Sequence, residues 1–128
     1  MAVLDVTVLA PIRTVSESNS REFWAKRAAR AQVQRRACAL AVRSALGGTM
    51  AAIGVEHVAV SLARISPREL DDDNLRGALK ACRDGITDAL GLTSDRDPRI
   101  TWLYYQRKGA PKQQAVEVRI TGNLPGPD

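Results

Sequence analysis

The chain has 128 residues, of which 45% are hydrophobic and 26% charged, the balance of one soluble globular domain rather than of a disordered chain. Its net charge is +5, its two cysteines lack the spacing of metal ligands, and its single histidine argues against a histidine-rich metal centre. No apolar run approaches the roughly 20 residues of a membrane helix, and the first residues do not follow the pattern of a secretory signal. We therefore expect a cytoplasmic protein that does not associate with a membrane.

The first half of the chain predicts a strand, a long helix and a second strand. Residues 1–9 alternate loosely around valines and predict a strand that Pro11 ends. A helix is predicted over residues 21–46, and the two glycines that follow it are typical of a helix end. Its inner stripe consists mostly of small residues, together with Trp24. Alternating β-branched residues over 55–65 predict the second strand.

The second half predicts a helix over 73–90 with a clear 3.6-residue period, then a strand over 100–106, a hairpin loop and a strand over 115–121. Residues 122–128 are expected to form a flexible tail. The order β-α-β-α-β-β predicts an α/β (α+β) fold of two layers, with a mixed β-sheet and two main helices, in a single domain over 1–121. Because aromatic residues make up only 4% of the chain, we expect a thin core that a homodimer would help to bury.

Charge is distributed unevenly along the chain. Seven of the nine aspartates lie between Asp71 and Asp97, whereas residues 21–43 carry seven basic side chains and one acidic one. Basic surfaces attract nucleic-acid backbones, and clustered aspartates attract divalent cations. Solvated loops or helix faces and helix capping are the plainer alternatives. The residues expected to contact DNA are Arg21, Lys26, Arg27, Arg30, Arg35 and Arg36 of the first helix and Arg107, Lys108 and Lys112 of the hairpin.

Three consecutive aspartates, Asp71, Asp72 and Asp73, stand where an extended segment meets the second helix. One aspartate suffices to cap a helix, and three repel one another unless a cation offsets their charge. Alternate side chains of an extended chain point to the same side, so Asp71 and Asp73 are expected to converge. A Mg²⁺ site needs two or three carboxylates. The third should come from elsewhere in the chain. Asp95 and Asp97 lie in the loop that follows the far end of the helix, so only the strand that runs back could return them toward Asp71.

The segment Leu70-Asp71-Asp72-Asp73-Asn74-Leu75 resembles the Asp-x-Asp-Asn-Leu signature with which RusA-type Holliday-junction resolvases begin a helix. Asp97-Pro98-Arg99-Ile100 is similar to that family's second element, an Asp-x-x-Val/Ile at the start of a strand, and Asp88-Ala89-Leu90-Gly91 resembles its helix end. The order of elements agrees over about 3–121. The resemblance implies a small homodimeric endonuclease, often encoded by phages, that uses Mg²⁺, with Mn²⁺ as a substitute, to cut branched DNA.

The resemblance also implies which residues carry the reaction. The implied metal-binding and catalytic carboxylates are Asp71, Asp73 and Asp97, with Asp95 as the substitute for the last. The family has a catalytic lysine four residues after the second aspartate of the signature, where this chain has Gly77, and Lys80 is the candidate to replace it. Two alternatives stay open. One is a catalytically weak or inactive DNA-binding protein on the same fold, and the other is a structural or regulatory domain whose aspartates only cap a helix.

Overall fold

Four strands and four helices follow one another in the part of the chain that the computed structural model describes, residues 3–14 and 24–125. The elements are β1 (Val3–Ala10), α1 (Trp24–Leu46), α2 (Met50–Ile53), β2 (Val58–Ser66), α3 (Asp72–Ala78), α4 (Lys80–Leu90), β3 (Ile100–Lys108) and β4 (Ala115–Asn123). The strands form one sheet in the order β1-β4-β2-β3. Strand β4 pairs antiparallel with β1 and β2, and β2 pairs parallel with β3. The predicted two-layer α/β fold with a mixed sheet is confirmed.

The core lies between one face of the sheet and helices α1 and α4. Val60 and Leu62 of β2 are fully buried and stand opposite Ile120 and Val118 of β4. The 3.6-residue period predicted for the second helix coincides with the buried face of α3 and α4. The buried residues of that face are Leu75, Ala78, Leu79, Cys82, Ile86, Ala89 and Leu90. Burial of this face therefore explains the hydrophobic period in the sequence.

The second half of helix α1 packs into the core. Cys38 and Val42 are fully buried, whereas Trp24, which was predicted on the inner stripe, is 70% exposed. Helices α1 and α4 approach so closely that a β-carbon at Gly85 would lie 2.2 Å from the carbonyl oxygen of Arg35. A glycine is therefore required at this crossing. None of the helices in the described ranges combines the length and the apolar character needed to cross a membrane.

Several elements differ from the predictions at their ends, helix α2 was not predicted, and two of the differences change how the chain is arranged. The second helix is divided at Leu79, where the backbone has φ −99° and ψ 0°, so it consists of α3 and α4. Strand β4 includes Gly122 and Asn123, which were predicted in the tail, and both pair with β1. A side chain at 122 would prevent this arrangement, because a β-carbon there would lie 2.7 Å from the carbonyl oxygen of His57.

Candidate functional site

Asp71, Asp72 and Asp73, hereafter the aspartate triplet, form the start of α3 and are all exposed. Asp71 is the N-cap residue, and its Oδ1 accepts a hydrogen bond from the backbone N–H of Asn74 at 2.9 Å. Asp72 and Asp73 occupy the first turn, where the helix dipole favours negative charge. Capping therefore accounts for one aspartate of the three.

The aspartate triplet differs from the other described aspartates, because it has no basic partner in the ranges that the structure describes. Each of the others forms an ion pair with an arginine or a lysine: Asp5, Asp84, Asp88, Asp95 and Asp97. Among the described residues, no arginine or lysine lies within ion-pair distance of the triplet. Three uncompensated negative charges therefore stand side by side at the end of the segment that follows β2.

Asp97 lies at the start of β3 and is bound by Arg99. The Arg99 side chain donates to both carboxylate oxygens of Asp97, at 3.0 and 2.8 Å, and the Arg99 backbone N–H donates to Oδ1 at 2.9 Å. These hydrogen bonds lower the pKa of Asp97 to about 2. The Asp97 carbonyl oxygen accepts the N–H of Ile100, which fixes this aspartate to the first residue of β3.

The structure does not bring Asp97 and the triplet together within one chain. Leu70, which precedes the triplet, exchanges hydrogen bonds of 2.9 and 2.5 Å with the side chain of Gln106 on β3. Ile100 and Gln106 are six residues apart on that strand, a distance of about 20 Å. Carboxylates that share one Mg²⁺ bring their oxygens within about 4 Å, because each lies about 2.1 Å from the ion. Asp71 and Asp97 of the same chain therefore cannot share a metal ion.

Lys80 and Asp95 belong to a separate cluster of charges. Lys80 Nζ lies 2.6 Å from Asp95 Oδ2 and 3.0 Å from Asp84 Oδ1, and Arg83 Nη2 lies 3.0 Å from Asp95 Oδ2. The hydrogen bond from Lys80 lowers the pKa of Asp95. Lys80 stands seven residues after Asp73, about 10 Å along the helix, and it binds Asp84 in the following turn. Lys80 therefore binds carboxylates away from the triplet.

The backbone also changes the expected relation between Asp71 and Asp73. The expectation of convergence assumed an extended chain, but α3 begins at Asp72. Because a helix turns by about 100° per residue, Asp73 points about 200° away from Asp71 around the axis. The described ranges contain no group of three or more His, Cys, Asp or Glu side chains that could hold a metal ion. The triplet supplies the oxygen donors that Mg²⁺ prefers, but one chain alone does not assemble the three-carboxylate site.

The basic residues expected to contact DNA do not form one free surface. Arg21 lies outside the described residues. Arg35 donates two hydrogen bonds to Asp88, at 2.7 and 2.9 Å. Arg107 pairs with Glu117 at 3.2 Å. The remaining residues of this set, all exposed except the last, which is half-buried, are Lys26, Arg27, Arg36, Lys108, Lys112 and Arg30.

Sequence reasoning missed a basic residue near the triplet. Arg64 lies on β2 and is only 5% exposed. The alternation in β2 contained a signal for it, since Val60, Leu62 and Arg64 share one face of the strand. A charged residue at an inward position of a strand indicates a polar site inside the fold.

No protein-family model matches the chain, and no curated protein matches it. The resemblance to RusA-type resolvases therefore stays a prediction from the sequence motifs alone.

Proposed function

We propose that this chain is a Mg²⁺-dependent, structure-selective endodeoxyribonuclease that acts on Holliday junctions or other branched DNA as a cytoplasmic homodimer. The observation that carries the proposal is the aspartate triplet. Its exposed carboxylates have no cationic partner in the described part of the chain and belong to a segment that resembles the resolvase signature, while every other described aspartate is paired. Unpaired carboxylates on neighbouring residues offer oxygen ligands of the kind that a divalent cation prefers.

A homodimer gives a physical meaning to the separation between the triplet and Asp97. The two lie beyond opposite ends of the parallel pair β2–β3, so a site that uses both must take them from two copies of the chain. The sheet face opposite the helices exposes Leu103 and Tyr105, by 40% and 53%, and leaves room for a second copy. Mg²⁺ held by these carboxylates would activate a water molecule and stabilise charge on the scissile phosphate. The exposed basic residues would hold the DNA without reading its sequence.

The two cysteines support the proposed cytoplasmic location. Cys38 and Cys82 are both buried and both free thiols. Contact with the Cys38 thiol, together with burial, raises the pKa of Cys82. Two neighbouring thiols that remain reduced favour a reducing compartment such as the cytoplasm.

The second candidate function is binding of branched DNA without cleavage. Two observations favour it. Gly77 stands at the lysine position of the signature, and Lys80 is bound to Asp84 and Asp95 instead of facing the triplet. On this hypothesis the protein keeps the fold and the basic surface but lacks the cation that would assist phosphate cleavage.

Incubation of a labelled four-way DNA junction with the purified protein, in Mg²⁺, in Mn²⁺ and in EDTA, tests both candidates. We expect nicking with either metal ion and none in EDTA. The Asp73→Asn variant should bind the junction and lose cleavage by about a hundredfold or more, because it removes a metal-binding carboxylate. Asp5→Asn removes the same charge from the Asp5–Arg119 pair and serves as the matched control. Binding without nicking in either metal would favour the second candidate, and no binding at all would contradict both.

A further inference from the structure

A cleft of about 460 Å³ opens at the end of β2, beside the segment that leads into the aspartate triplet. Its polar lining residues are Arg13, Thr14, Arg64, Ser66, Arg68 and Gln114. Three of these are arginines and none of the lining residues is acidic. A concave surface lined by one sign of charge attracts ions of the opposite sign, so the cleft is suited to an anion.

Arg64 is the buried cation of this cleft. Its Nε donates to the Thr14 hydroxyl at 2.7 Å, and its Nη1 donates to the Arg68 carbonyl oxygen at 2.6 Å. Both acceptors are neutral, and no carboxylate in the described ranges pairs with this guanidinium. Burial lowers the pKa of Arg64, because desolvation disfavours the charged guanidinium. A buried charge usually has a partner of opposite sign, and the residues that the structure describes supply none for Arg64.

Two further features of the cleft point to a ligand. Arg13 and Arg68 are exposed, and neither forms an ion pair with a carboxylate of the described chain. Gln114 Oε1 is buried and has no hydrogen-bond partner among the described residues. Native proteins rarely leave such an atom unpaired unless water or a ligand binds there. Among the described residues, the cleft therefore contains three guanidinium groups without a carboxylate partner and one unpaired acceptor, which a donor such as water or a protonated phosphate oxygen can satisfy.

We propose that this cleft binds a phosphate group, with Arg64 as the buried anchor and Arg13 and Arg68 as the exposed cations around it. Guanidinium groups offer planar pairs of N–H donors that match phosphate oxygens. Leu70 also lines the cleft and directly precedes Asp71, so a phosphate held there lies beside the triplet. The inference rests on the proposed function, because it assigns the phosphate to the backbone of the bound DNA and places that backbone next to the carboxylates.

Arg64→Met tests the proposal, since it keeps an unbranched side chain and removes the charge. We expect junction affinity to fall by about tenfold, and the slope of log affinity against log salt concentration to decrease by about one, as for one lost phosphate contact. We also expect inorganic phosphate to raise the Tm of the wild-type protein and not that of the variant. Arg119→Met removes the same charge from an exposed position paired with Asp5, and this control should keep the wild-type salt slope.

The outcomes separate the sources of phosphate. If Arg64→Met weakens DNA binding and abolishes the response to inorganic phosphate, the cleft binds a backbone phosphate. If it abolishes only the response to inorganic phosphate, the cleft binds a phosphate group that DNA does not supply, and the assignment to the DNA backbone is overturned. If both arginine variants behave alike in both assays, there is no phosphate site.

Two further measurements keep the proposal testable. If the wild-type protein binds no DNA, the proposed function fails, and the Tm response to inorganic phosphate still decides whether the cleft binds phosphate. If Arg64→Met does not fold, as judged by circular dichroism, the double variant Arg13→Ala/Arg68→Ala keeps the buried guanidinium. We expect this double variant to lower the salt slope by one to two. An unchanged salt slope together with an unchanged phosphate response would overturn the proposal.

Discussion

At the start of β3, Asp95 and Asp97 are each held by arginine or lysine side chains. At the end of β2, neither the aspartate triplet nor Arg64 has a partner of opposite charge within residues 3–14 and 24–125. The ion pairs of Asp95 and Asp97 stabilise the loop between α4 and β3. The unpaired charges repel one another or cost desolvation, so within the chain they reduce stability. Such groups are typical of sites where a ligand supplies the opposite charge. The comparison therefore distinguishes the aspartates at the end of β2, which are available to a cation, from those at the start of β3, which ion pairs hold within the chain.

We expect the largest effect on stability at the start of β3, where the aspartates form ion pairs. Asp95→Asn removes the carboxylate that Lys80 and Arg83 share, and it leaves the half-buried Arg83 without its ion pair. We expect the free energy of unfolding to fall by about 1–3 kcal/mol, measured by chemical denaturation. Asp72→Asn, in the aspartate triplet, is the control. Its effect should stay below about 0.5 kcal/mol, because relief of repulsion offsets the lost helix-dipole attraction. Equal losses in the two variants would contradict the comparison.

A positively charged side chain can also be introduced next to the aspartate triplet. Gly77 lies four residues after Asp73, and a β-carbon there would meet no atom within 4 Å. Gly77→Lys should therefore stabilise the protein by about 0.5–1 kcal/mol through helix propensity and the new contact with Asp73. If the nuclease proposal is right, junction cleavage should also rise. Gly77→Gln has a similar helix propensity without the charge, so equal cleavage by the two variants would show that a cation at this position adds nothing.

The sequence predicts most of the fold because burial determines the pattern. The period of α4 and the alternation of β4 are those of elements that bury one face, and both match the structure. The stripe of α1 is weaker, since small residues occur on buried and exposed faces alike, and Trp24 falls on the exposed one. The break at Leu79 has no sequence signal of the usual kind, because neither proline nor a capping residue marks it.

The site is harder to predict than the fold. Spacing along the chain brings Asp71 and Asp97 into one family signature, but a strand, a helix and a parallel strand place the end of β2 and the start of β3 at opposite ends of the sheet. That topology was available from the predicted elements and argues against a shared ion in one chain. The arginine cleft depends on the loop at Arg13 and Thr14 lying against β2, a contact across 50 residues of sequence that no local pattern contains.

The smallest expected effect is on the stability of the protein at acidic pH. Hydrogen bonds from Arg99 lower the pKa of Asp97 from 3.8 to about 2. Because the folded state then binds this proton more weakly than the unfolded state, the pairing stabilises the protein above a pH of about 4 and is lost as the pH falls toward 2. Asp97→Asn should therefore lower stability at neutral pH and flatten the acid part of the stability curve, measured by urea denaturation across that range. Asp72→Asn should not change the acidic part of the curve of stability against pH. If the Asp97→Asn variant lost as much stability at acidic pH as the wild-type protein does, the Asp97–Arg99 pair would not stabilise the start of β3. The contrast between the start of β3 and the end of β2 would then depend on Asp95 alone.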